Sequence, residues 1–413
     1  MRHQPVLTDG HQLRLIEGGE AYFRHLIAAI EQARSQVQLE TYIFDFHGEA
    51  SAVAEALERA ALRGVRVWLV VDGVGTGRLP LDWARRFEQA GVEYRIYSPL
   101  GRLGLLIPSR WRRLHRKLAV VDGQQAFCGG INILDDWFDP RHGQLTHPRL
   151  DFAVQARGAM VQQVQETMTR LWWRLQAVSH VREHQFPEAF SSFRAAGLHL
   201  PWTQDAQADG DQIVARAGLL LRDNVLHRTQ IEKAYLKAIA GARHEVLIAN
   251  AYFLPGRRLR KALVLAARRG VRVRLILQGR YDYFMQYHAV RPVYRTLLAA
   301  GIEIHEYTAS FLHAKVAVVD PQRERPWATV GSSNLDPLSL LLAREANVVV
   351  ADRPFARQLH QRLEQIMAEH CEPVSADSFG RRPWRQRLRD RIAFGLMRPV
   401  SYTHLTLPTN REV

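Results

Sequence analysis

His-Arg-Lys-Leu-Ala-Val-Val-Asp, at residues 115–122, has a close copy in His-Ala-Lys-Val-Ala-Val-Val-Asp at residues 313–320. Both stretches are His-x-Lys-x4-Asp. Each is followed by small residues that end in asparagine, Gly-Gly-Ile-Asn at 129–132 and Gly-Ser-Ser-Asn at 331–334. A single His-x-Lys is common by chance, whereas the full pattern occurring twice is specific. The apolar run after each lysine predicts a buried strand that begins beside the histidine.

The sequence around the two motifs repeats as well. Arg-Gly-Val-Arg-Val at 63–67 recurs at 269–273. Hydrophobic periodicity and helix-ending glycines predict the same order of elements in both halves. The first half is predicted to hold helices at 20–33, 52–63 and 83–90 and strands at 37–44, 65–71, 92–97 and 117–121. The second half is predicted to hold helices at 231–240, 259–269 and 294–300 and strands at 246–252, 271–277, 302–307 and 315–319.

Strands that alternate with helices predict an α/β fold with mixed, mostly parallel sheets. One duplication predicts two similar α-β-α sandwich domains in a pseudo-two-fold arrangement, at 1–200 and 201–375. The join is expected within 180–215, where the pattern weakens. A basic amphipathic segment is expected at 376–399. Residues 400–413 resemble translated sequencing-adapter read-through, so they are interpreted as a non-native tail.

Composition restricts the classes of partner. The chain has 413 residues, 47% hydrophobic and 23% charged, which is typical of a soluble globular protein. A net charge of +15 predicts a polyanionic partner, either nucleic acid or an anionic lipid surface. Two cysteines exclude a disulfide framework and a cysteine-rich zinc site. No apolar run approaches the ~20 residues of a transmembrane helix, so any contact with a membrane is expected from its surface.

The paired motifs predict a site for a phosphate group. If the two halves face each other, two histidines, two lysines and two asparagines surround one point. Ammonium groups offset phosphoryl charge, and imidazoles exchange nucleophile, acid and base roles near neutral pH. The 18 histidines contain no His-Glu-x-x-His, so no metal is expected. The candidate residues are His115, Lys117, Asp122, His313, Lys315 and Asp320, with Asn132, Gly130, Asn334 and Ser332 as phosphate-binding residues.

The duplicated motif resembles the signature of the phospholipase D superfamily, and the resemblance covers residues 10–370. It implies that one histidine forms a phosphohistidine and the other exchanges protons with the leaving and incoming alcohols, with no cofactor. By analogy His115 is assigned as the nucleophile and His313 as the acid and base. Lysine and asparagine are implied to hold the phosphoryl oxygens. The motif residues Asp122 and Asp320 are implied to brace the local structure.

Two further acids and one departure follow from the resemblance. The superfamily places a carboxylate after each motif to orient the imidazole, and Asp151 and Glu345 fit that role. Each also precedes an apolar, strand-like run, so a surface acid at a strand start is the structural alternative. Gly130 stands where the superfamily often has serine, so the first half lacks the hydroxyl that Ser332 supplies in the second.

Two segments favour a lipid over nucleic acid. Residues 101–117 carry six basic residues and no acid among leucines, an isoleucine and a tryptophan. Residues 381–398 place apolar residues at every fourth position among arginines. Both patterns suit an anionic membrane surface, whereas a nucleic-acid groove favours stacking aromatic residues. A loop and a terminal helix that pack on the protein itself are the alternatives. The residues expected to contact a membrane are Leu105, Leu106, Ile107, Trp111 and Trp384.

Within the superfamily, the chain is most similar to bacterial cardiolipin synthases without N-terminal transmembrane helices. This implies phosphatidyl transfer from phosphatidylglycerol to a second phosphatidylglycerol, with phosphatidylethanolamine as a further possible lipid, at the cytoplasmic face of the inner membrane. A phospholipase D-type hydrolase, a nuclease of the same superfamily and a non-catalytic lipid-surface adaptor are the alternatives. The intact motifs disfavour the adaptor, and the apolar residues of 101–117 disfavour a nucleic-acid partner.

Overall fold

The structure, a computed structural model, describes most of the chain. The described residues are 7–101, 108–139, 142–182, 213–223, 227–280, 284–336 and 343–376, together with Phe379, Arg389 and Ile392. Some expectations lie outside them: the membrane contacts of Leu105, Leu106, Ile107 and Trp384, most of the join at 180–215, most of the basic segment at 376–399, and the tail at 400–413.

The two halves share a succession of elements, apart from a few short strands. In chain order the first half holds β1 (Thr8–Glu17), α1 (Gly19–Glu31), β2 (Gln36–Thr41), α2 (Ser51–Leu62), β3 (Arg66–Asp72), α3 (Leu81–Ala90), β4 (Glu93–Tyr97), β5 (Arg113–Leu114), β6 (Lys117–Val121), β7 (Gln125–Gly129), β8 (Phe138–Asp139), β9 (Gly143–Gln144), β10 (Phe152–Arg157) and α4 (Met160–Arg182). The second half holds β11 (Ile213–Arg222), α5 (Gln230–Gly241), β12 (Glu245–Asn250), α6 (Arg257–Arg268), β13 (Arg272–Gln278), α7 (Phe284–Leu298), β14 (Glu303–Tyr307), β15 (Lys315–Val319), β16 (Trp327–Gly331), β17 (Ala343–Val350), α8 (Arg353–His370) and β18 (Cys371–Pro373). The short strands outside the shared succession are β5, β8 and β9 of the first half and β18 of the second.

The repeated pentapeptide marks a repeated turn. Helices α2 and α6 are followed by Gly64 and Gly270, which have φ of 86° and 87°. Glycine adopts this left-handed conformation without a steric penalty and commonly ends helices in this way. The chain then enters β3 and β13, which pair in parallel with β2 and β12. The α/β class and the internal repeat predicted from the sequence are therefore confirmed.

The expectation of mostly parallel sheets is wrong. Among the described strands, parallel pairing joins β2 to β3 to β4, β12 to β13 to β14, and the short β5 to β17. The motif strands β6 and β15 pair antiparallel with both of their neighbours. Parallel neighbours need a long crossover connection, whereas β6–β7 and β15–β16 are joined by short turns that permit only antiparallel pairing.

The halves also share one sheet. Strands β1 and β11 pair antiparallel, and the strand order runs outward from this junction in the same way on both sides. The order is β18-β14-β13-β12-β15-β16-β17-β11-β1-β10-β7-β6-β2-β3-β4. The first strand of each half therefore closes what would otherwise be an unpaired edge. The domain limits 1–200 and 201–375 remain a proposal.

The sheet brings the two motif regions together. Strand β7 packs against β17, and β10 packs against β16. One apolar cluster includes residues of both halves, such as Leu118 and Val120 of β6 and Val316 and Val318 of β15. Helices α1 to α3 and α5 to α7 cover two other clusters, one for each half. The inner faces of the two half-sheets therefore meet where the motif strands lie.

Strand β2 ends three residues before its predicted limit. The hydroxyl of Thr41 donates to the carbonyl of Ile43 at 2.9 Å, and the backbone N–H of Phe44 donates to the Thr76 hydroxyl at 2.9 Å. Because these bonds replace ladder bonds, the chain leaves the sheet after Thr41. Tyr42 then lies beside the first motif, with its ring centroid 5.0 Å from that of His115.

Candidate active site

Both motif histidines are held by backbone bonds to the opposite half. The N–H of His115 donates to the carbonyl of Arg344 at 3.0 Å, and the N–H of His313 donates to the carbonyl of Leu150 at 2.8 Å. Each histidine comes two residues before the lysine that opens its strand, β6 or β15, and all residues of both strands are buried. The entry to each motif strand is therefore fixed by the start of β17 or β10 across the interface.

The two predicted orienting carboxylates lie at the imidazoles, and each serves the histidine of the other half. His115 Nδ1 is 3.0 Å from Glu345 Oε1, and His313 Nδ1 is 2.5 Å from Asp151 Oδ2. Both carboxylates are buried. A carboxylate at Nδ1 fixes the ring orientation and leaves Nε2 as the reactive nitrogen. The site is thus built from both halves.

The two lysines are buried beside the histidines. Lys117 Nζ donates to the carbonyl of His115 at 2.6 Å, and Lys315 Nζ donates to the carbonyl of His313. Lys315 Nζ also lies 4.0 Å from Asp151 Oδ2. Burial, and next the Lys315 charge, lower the pKa of Lys117 to about 7, while burial lowers the pKa of Lys315 to about 8. Two ammonium groups that repel each other in a desolvated space form a place for an anion.

Electrostatic coupling links the two half-sites. Burial lowers the pKa of His115, and Glu345 opposes that shift. Burial, then Lys315, Lys117 and His115, hold the pKa of His313 well below its usual range. The pKa of His313 therefore depends on the charged groups of the first motif, Lys117 and His115. This coupling, together with the crossed contacts to Glu345 and Asp151, indicates that the two motif regions lie close to each other.

We expect the binding of a phosphodiester anion to take up protons between about pH 7 and 8. Both lysine pKa values fall in this range in the free protein, and a bound anion raises them, because an opposite charge favours the charged form. Affinity should fall as pH rises above about 8. Calorimetric titration of glycerophosphoglycerol in two buffers of different ionisation enthalpy measures the protons taken up. Equal heats in both buffers would contradict the expectation, and Lys315→Met should reduce the uptake.

The small-residue turns differ between the halves in a way that matches their carboxylates. A Cβ atom placed on Gly130 would lie 2.3 Å from Asp151 Oδ1, so a side chain at this position would displace the Asp151 carboxylate. In the second half, Ser332 occupies the corresponding place and its hydroxyl donates to Glu345. Burial opposes ionisation of Glu345, but His115, Lys117 and this hydroxyl together lower its pKa. The glycine at position 130 therefore leaves room for the carboxylate of Asp151, which contacts His313.

The two asparagines close the ends of these turns. Asn132 Oδ1 accepts from the backbone N–H of Ile43 at 3.1 Å, an orientation that leaves its amide NH2 as the donor. Asn334 is buried, and its Oδ1 has no hydrogen-bond partner among the described residues. Both lie a few residues after the strands β7 and β16 that flank the motif strands. Their role as phosphate donors remains a prediction.

The motif aspartates lie at the far ends of the motif strands, away from the histidines. Asp122 accepts from the backbone N–H groups of Arg34, Ser35 and Gln36 at 2.8 to 2.9 Å. Asp320 does the same for residues 243–245, at 2.8 to 2.9 Å. Each aspartate fixes the turn before β2 or β12. These contacts agree with the bracing role that the resemblance implied.

We expect Asp320→Ala to lower the free energy of unfolding by about 1–3 kcal/mol, because it leaves backbone donors without partners. Burial opposes ionisation of Asp320, but the backbone bonds lower its pKa overall. Its contribution is therefore present above the ordinary aspartate pKa and is lost as pH falls through the folded-state value. Urea unfolding at several pH values measures this. The specific activity of the folded variant should stay close to that of the parent, and a loss of turnover at unchanged stability would contradict the bracing role.

One predicted membrane-contacting residue, Trp111, is described and its ring is exposed. Its backbone carbonyl accepts from Arg113 Nε at 3.1 Å, and Arg113 also pairs with the buried Asp72 at 3.0 Å. Within the basic segment 101–117, Arg113 is therefore held against the end of β3, and Trp111 is exposed at the surface.

Other polar residues near the site were given no role by the sequence reasoning. Tyr42 places its ring 5.6 Å from Lys117 Nζ. Arg344 Nε donates to the hydroxyl of Tyr97 at 3.2 Å, next to the backbone bond that holds His115. The signal available in the sequence was position, since Tyr42 follows β2, the neighbour of motif strand β6, and Arg344 precedes Glu345. The buried residues Asp136 and Arg222 gave no comparable signal.

A separate group of possible metal ligands is an ion-pair network. Glu245, His360 and Glu364 bring ligand atoms within 4.8 Å of one another. The guanidinium of Arg274 bonds to both carboxylates, so a cation already lies between them.

Within the described part of the chain, no helix combines the length and apolarity that crossing a membrane requires.

Similar proteins are known at the level of sequence. The domain family described as "Cardiolipin synthase, PLD-like domain" matches residues 26–172 and 235–367. Cardiolipin synthase B of Escherichia coli is 36% identical over 401 residues, covering 94% of this chain and 88% of that protein. Cardiolipin synthase 1 of Staphylococcus epidermidis is 25% identical over 393 residues, covering 95% of this chain and 75% of that protein.

Solved structures share the fold at low sequence identity. A phosphatidylserine synthase of Haemophilus influenzae superposes with a TM-score of 0.69 at 12% identity, covering 97% of both chains. A polyphosphate kinase of Porphyromonas gingivalis gives a TM-score of 0.54 at 16% identity, covering 94% of this chain and 56% of that one. The fold of this chain therefore has solved counterparts.

Proposed function

This chain belongs to the cardiolipin synthase family of phospholipase D-like proteins, and from that premise we propose that it joins two phosphatidylglycerol molecules into cardiolipin. It is a phosphatidyltransferase of phospholipid biosynthesis. The observation that supports the chemistry is the pair of crossed histidine–carboxylate contacts beside two buried lysines. This arrangement engages Nδ1 of both imidazoles and leaves Nε2 as the reactive atom beside the two buried lysines.

In the first step His115 Nε2 attacks the phosphorus of the donor lipid. A P–N bond forms and the P–O bond to the glycerol headgroup breaks, while His313 Nε2 gives its proton to the leaving oxygen. Glycerol departs and a phosphatidyl-histidine remains. Lys117 and Lys315 offset the charge on the phosphoryl oxygens, and Glu345 stabilises the positive charge that develops on the His115 ring.

In the second step the terminal hydroxyl of another phosphatidylglycerol attacks the same phosphorus. His313 Nε2 takes the hydroxyl proton, the P–N bond breaks and His115 is regenerated as a neutral imidazole. One phosphodiester is exchanged for another, so the reaction needs no nucleotide. The acceptor competes with water, so its hydroxyl must be held in line with the P–N bond.

The lipid surface is the expected partner of the exposed side of the site. Arg113 anchors the segment that carries exposed Trp111, and residues 102–107 add the apolar Leu105, Leu106 and Ile107. Basic residues around apolar ones bind anionic lipid interfaces. We place the protein at the cytoplasmic face of the bacterial inner membrane, as a peripheral protein, with phosphatidylethanolamine as a second candidate lipid.

Product analysis tests the proposal. Purified protein is incubated separately with phosphatidylglycerol liposomes and with single-stranded DNA. Cardiolipin together with an equal amount of free glycerol is expected from the liposomes, and intact DNA from the second incubation. Phosphatidic acid as the main lipid product would identify a hydrolase, cleaved DNA a nuclease, and binding without any product an adaptor.

A variant with Leu105, Leu106 and Ile107 changed to serine tests the lipid surface. Turnover on liposomes should fall much more than turnover on lipid dispersed in detergent micelles. A matched variant with serine in place of exposed Leu62 and Leu81, which lie on α2 and α3, should behave like the parent. Equal turnover of both variants on liposomes would contradict membrane contact by this segment.

A further inference from the structure

The two half-sites differ in the charge that lies behind each orienting carboxylate. In the second half, Arg222 at the end of β11 stands directly opposite Glu345 in the register of β11 and β17. In the first half, the corresponding ladder of β1 and β10 ends at Glu17 opposite Phe152, so Gly18 stands opposite Asp151. The N–H of Gly18 donates to the carbonyl of Asp151 at 3.0 Å. The position of an arginine is thus taken by a residue with no side chain.

A buried acid lies beside that glycine. The backbone N–H of Gly19, the first residue of α1, donates to Asp136 Oδ2. A Cβ atom on Gly18 would lie 3.9 Å from Asp136 Oδ2, and one on Gly19 would lie 2.7 Å from it. Asp136 is only 7% exposed. The first half therefore places a carboxyl group behind Asp151 where the second half places a guanidinium group behind Glu345.

The charged surroundings of Arg222 are mostly acidic. Its guanidinium donates to the carbonyl of Ala343 at 2.7 Å and is 1% exposed. The groups that act on its charge are Glu345, Asp336, Asp223 and Arg228, and Arg222 in turn acts on Glu232. Burial lowers the pKa of Arg222 to about 10, so it is a cation at neutral pH. A fixed positive charge lies next to Glu345.

The charged surroundings of Asp136 include Asp151, Arg149 and Glu49. Burial is the main reason that its pKa rises to about 7, and the Gly19 N–H opposes the rise while Asp151 adds to it. Burial also raises the pKa of Asp151 to about 6, against the effect of Lys315 and Lys117. The carboxylate at His115, Glu345, is thus ionised. The two acids near His313, Asp151 and Asp136, instead compete for protons near neutral pH.

We propose that Arg222 and Asp136 are positioning residues that give the two histidines different protonation states. Arg222 keeps the His115–Glu345 pair as neutral imidazole and carboxylate, ready to attack phosphorus. When ionised, Asp136 raises the proton affinity of the His313–Asp151 pair, and a bound phosphate offsets the lysine charges that disfavour protonation of His313, so the pair carries a proton for the leaving alcohol. The inference rests on the proposed two-step transfer. It explains how two motifs of the same sequence divide the roles of nucleophile and acid.

The physical reason is the sign of the neighbouring charge. A cation beside a proton-binding pair lowers the affinity of the pair for a proton, and an anion raises it. Because the nucleophile has to be unprotonated and the acid protonated at the start of the reaction, opposite charges behind the two pairs favour the productive combination. Two identical environments would favour the same protonation state for both histidines.

The pH profile of kcat for cardiolipin formation from phosphatidylglycerol in detergent micelles tests the proposal. Bound phosphate holds Lys117 and Lys315 protonated, so the acidic limb of kcat reports the His115 pair and the basic limb the His313 pair. Arg222→Gln should move the acidic limb to higher pH by about 0.5–1 unit, a typical effect of one nearby charge. Asp136→Asn should move the basic limb to lower pH by a similar amount, and its Oδ1 can still accept from Gly19.

Charge-retaining and neighbouring variants serve as controls. Arg222→Lys should leave the acidic limb in place. Asp135→Asn removes a carboxylate that accepts from the backbone N–H of Trp137 at 2.8 Å and should move neither limb. Circular dichroism verifies folding. If Arg222→Gln does not fold, the basic limb of Asp136→Asn decides the inference, and an unshifted limb overturns it.

Four outcomes would overturn the inference. They are unchanged limbs in both charge-removing variants, shifts of both on the same limb, shifts on the exchanged limbs, and a flat profile of the parent protein. Exchanged limbs would assign the attack to His313. In all four cases the parent still forms cardiolipin, so the proposed function stands, whereas a parent that forms no cardiolipin contradicts the function itself.

Discussion

Replacement of His115 by alanine is expected to lower the rate of phosphatidyl transfer by a factor on the order of 10⁴ or more, the effect seen when a catalytic nucleophile is removed. The loss should persist with every donor lipid, because no other group supplies the nitrogen that bonds to phosphorus. Cardiolipin formed from radiolabelled phosphatidylglycerol measures the rate. Normal turnover by this variant would exclude a site built from both halves.

His313→Ala is the matched variant. It should be equally inactive with phosphatidylglycerol, whose leaving alkoxide needs a proton. With a phosphatidyl p-nitrophenol ester, the leaving phenolate needs none, so the variant should release about one equivalent of nitrophenol and retain a phosphatidyl group on His115. His115→Ala should release none. The reverse pattern would exchange the roles of the two histidines.

Asp151→Asn and Glu345→Gln are each expected to lower transfer by about 10³–10⁴-fold, as when the acid behind a catalytic histidine is neutralised. The crossed contacts predict different steps for the two losses. Glu345 contacts His115 and should be needed for the attack, whereas Asp151 contacts His313 and should be needed for proton transfer. The nitrophenol ester should therefore restore the first step in Asp151→Asn but not in Glu345→Gln.

The opposite rescue pattern would mean that each carboxylate serves the histidine of its own half. Ser332→Ala provides a control of intermediate effect. It removes the hydroxyl that donates to Glu345 while leaving the carboxylate in place. A loss of about 1–3 kcal/mol in transition-state stabilisation is the expected size for one hydrogen bond to a charged group. This variant should follow the behaviour of Glu345→Gln with the nitrophenol ester.

Much of the fold could be predicted from local sequence. The helices before Gly64 and Gly270 and the strands at 117–121 and 315–319 lie where periodicity placed them. Local rules failed for helix α7, which spans Phe284–Leu298 and contains Pro292, whereas the predicted helix covered only residues 294–300. They also failed for pairing direction, because a strand's own residues do not specify which neighbour it meets.

Some features of the candidate site could likewise be predicted from local sequence, and others could not. The spacing of His115, Lys117 and Asn132, and its copy in the second half, could be predicted because these residues lie within a short stretch of sequence. The role of Gly130 could not be predicted, because it depends on the Asp151 carboxylate, which occupies the space beside this glycine in the folded protein. The bracing contacts of Asp122 depend equally on a turn far away in sequence.

By itself the sequence determined the duplicated motif, the order of helices and strands and the kind of chemistry, because these depend on residue identity and on the local periodicity of burial. Only the tertiary structure decided that His115 meets Glu345, 230 residues away, and His313 meets Asp151, 162 residues away. It also decided that two buried groups, the Arg222 guanidinium and the Asp136 carboxyl group, lie behind those carboxylates. Such contacts arise where the inner faces of two half-sheets pack together, and no local pattern in a chain encodes which surfaces will face each other.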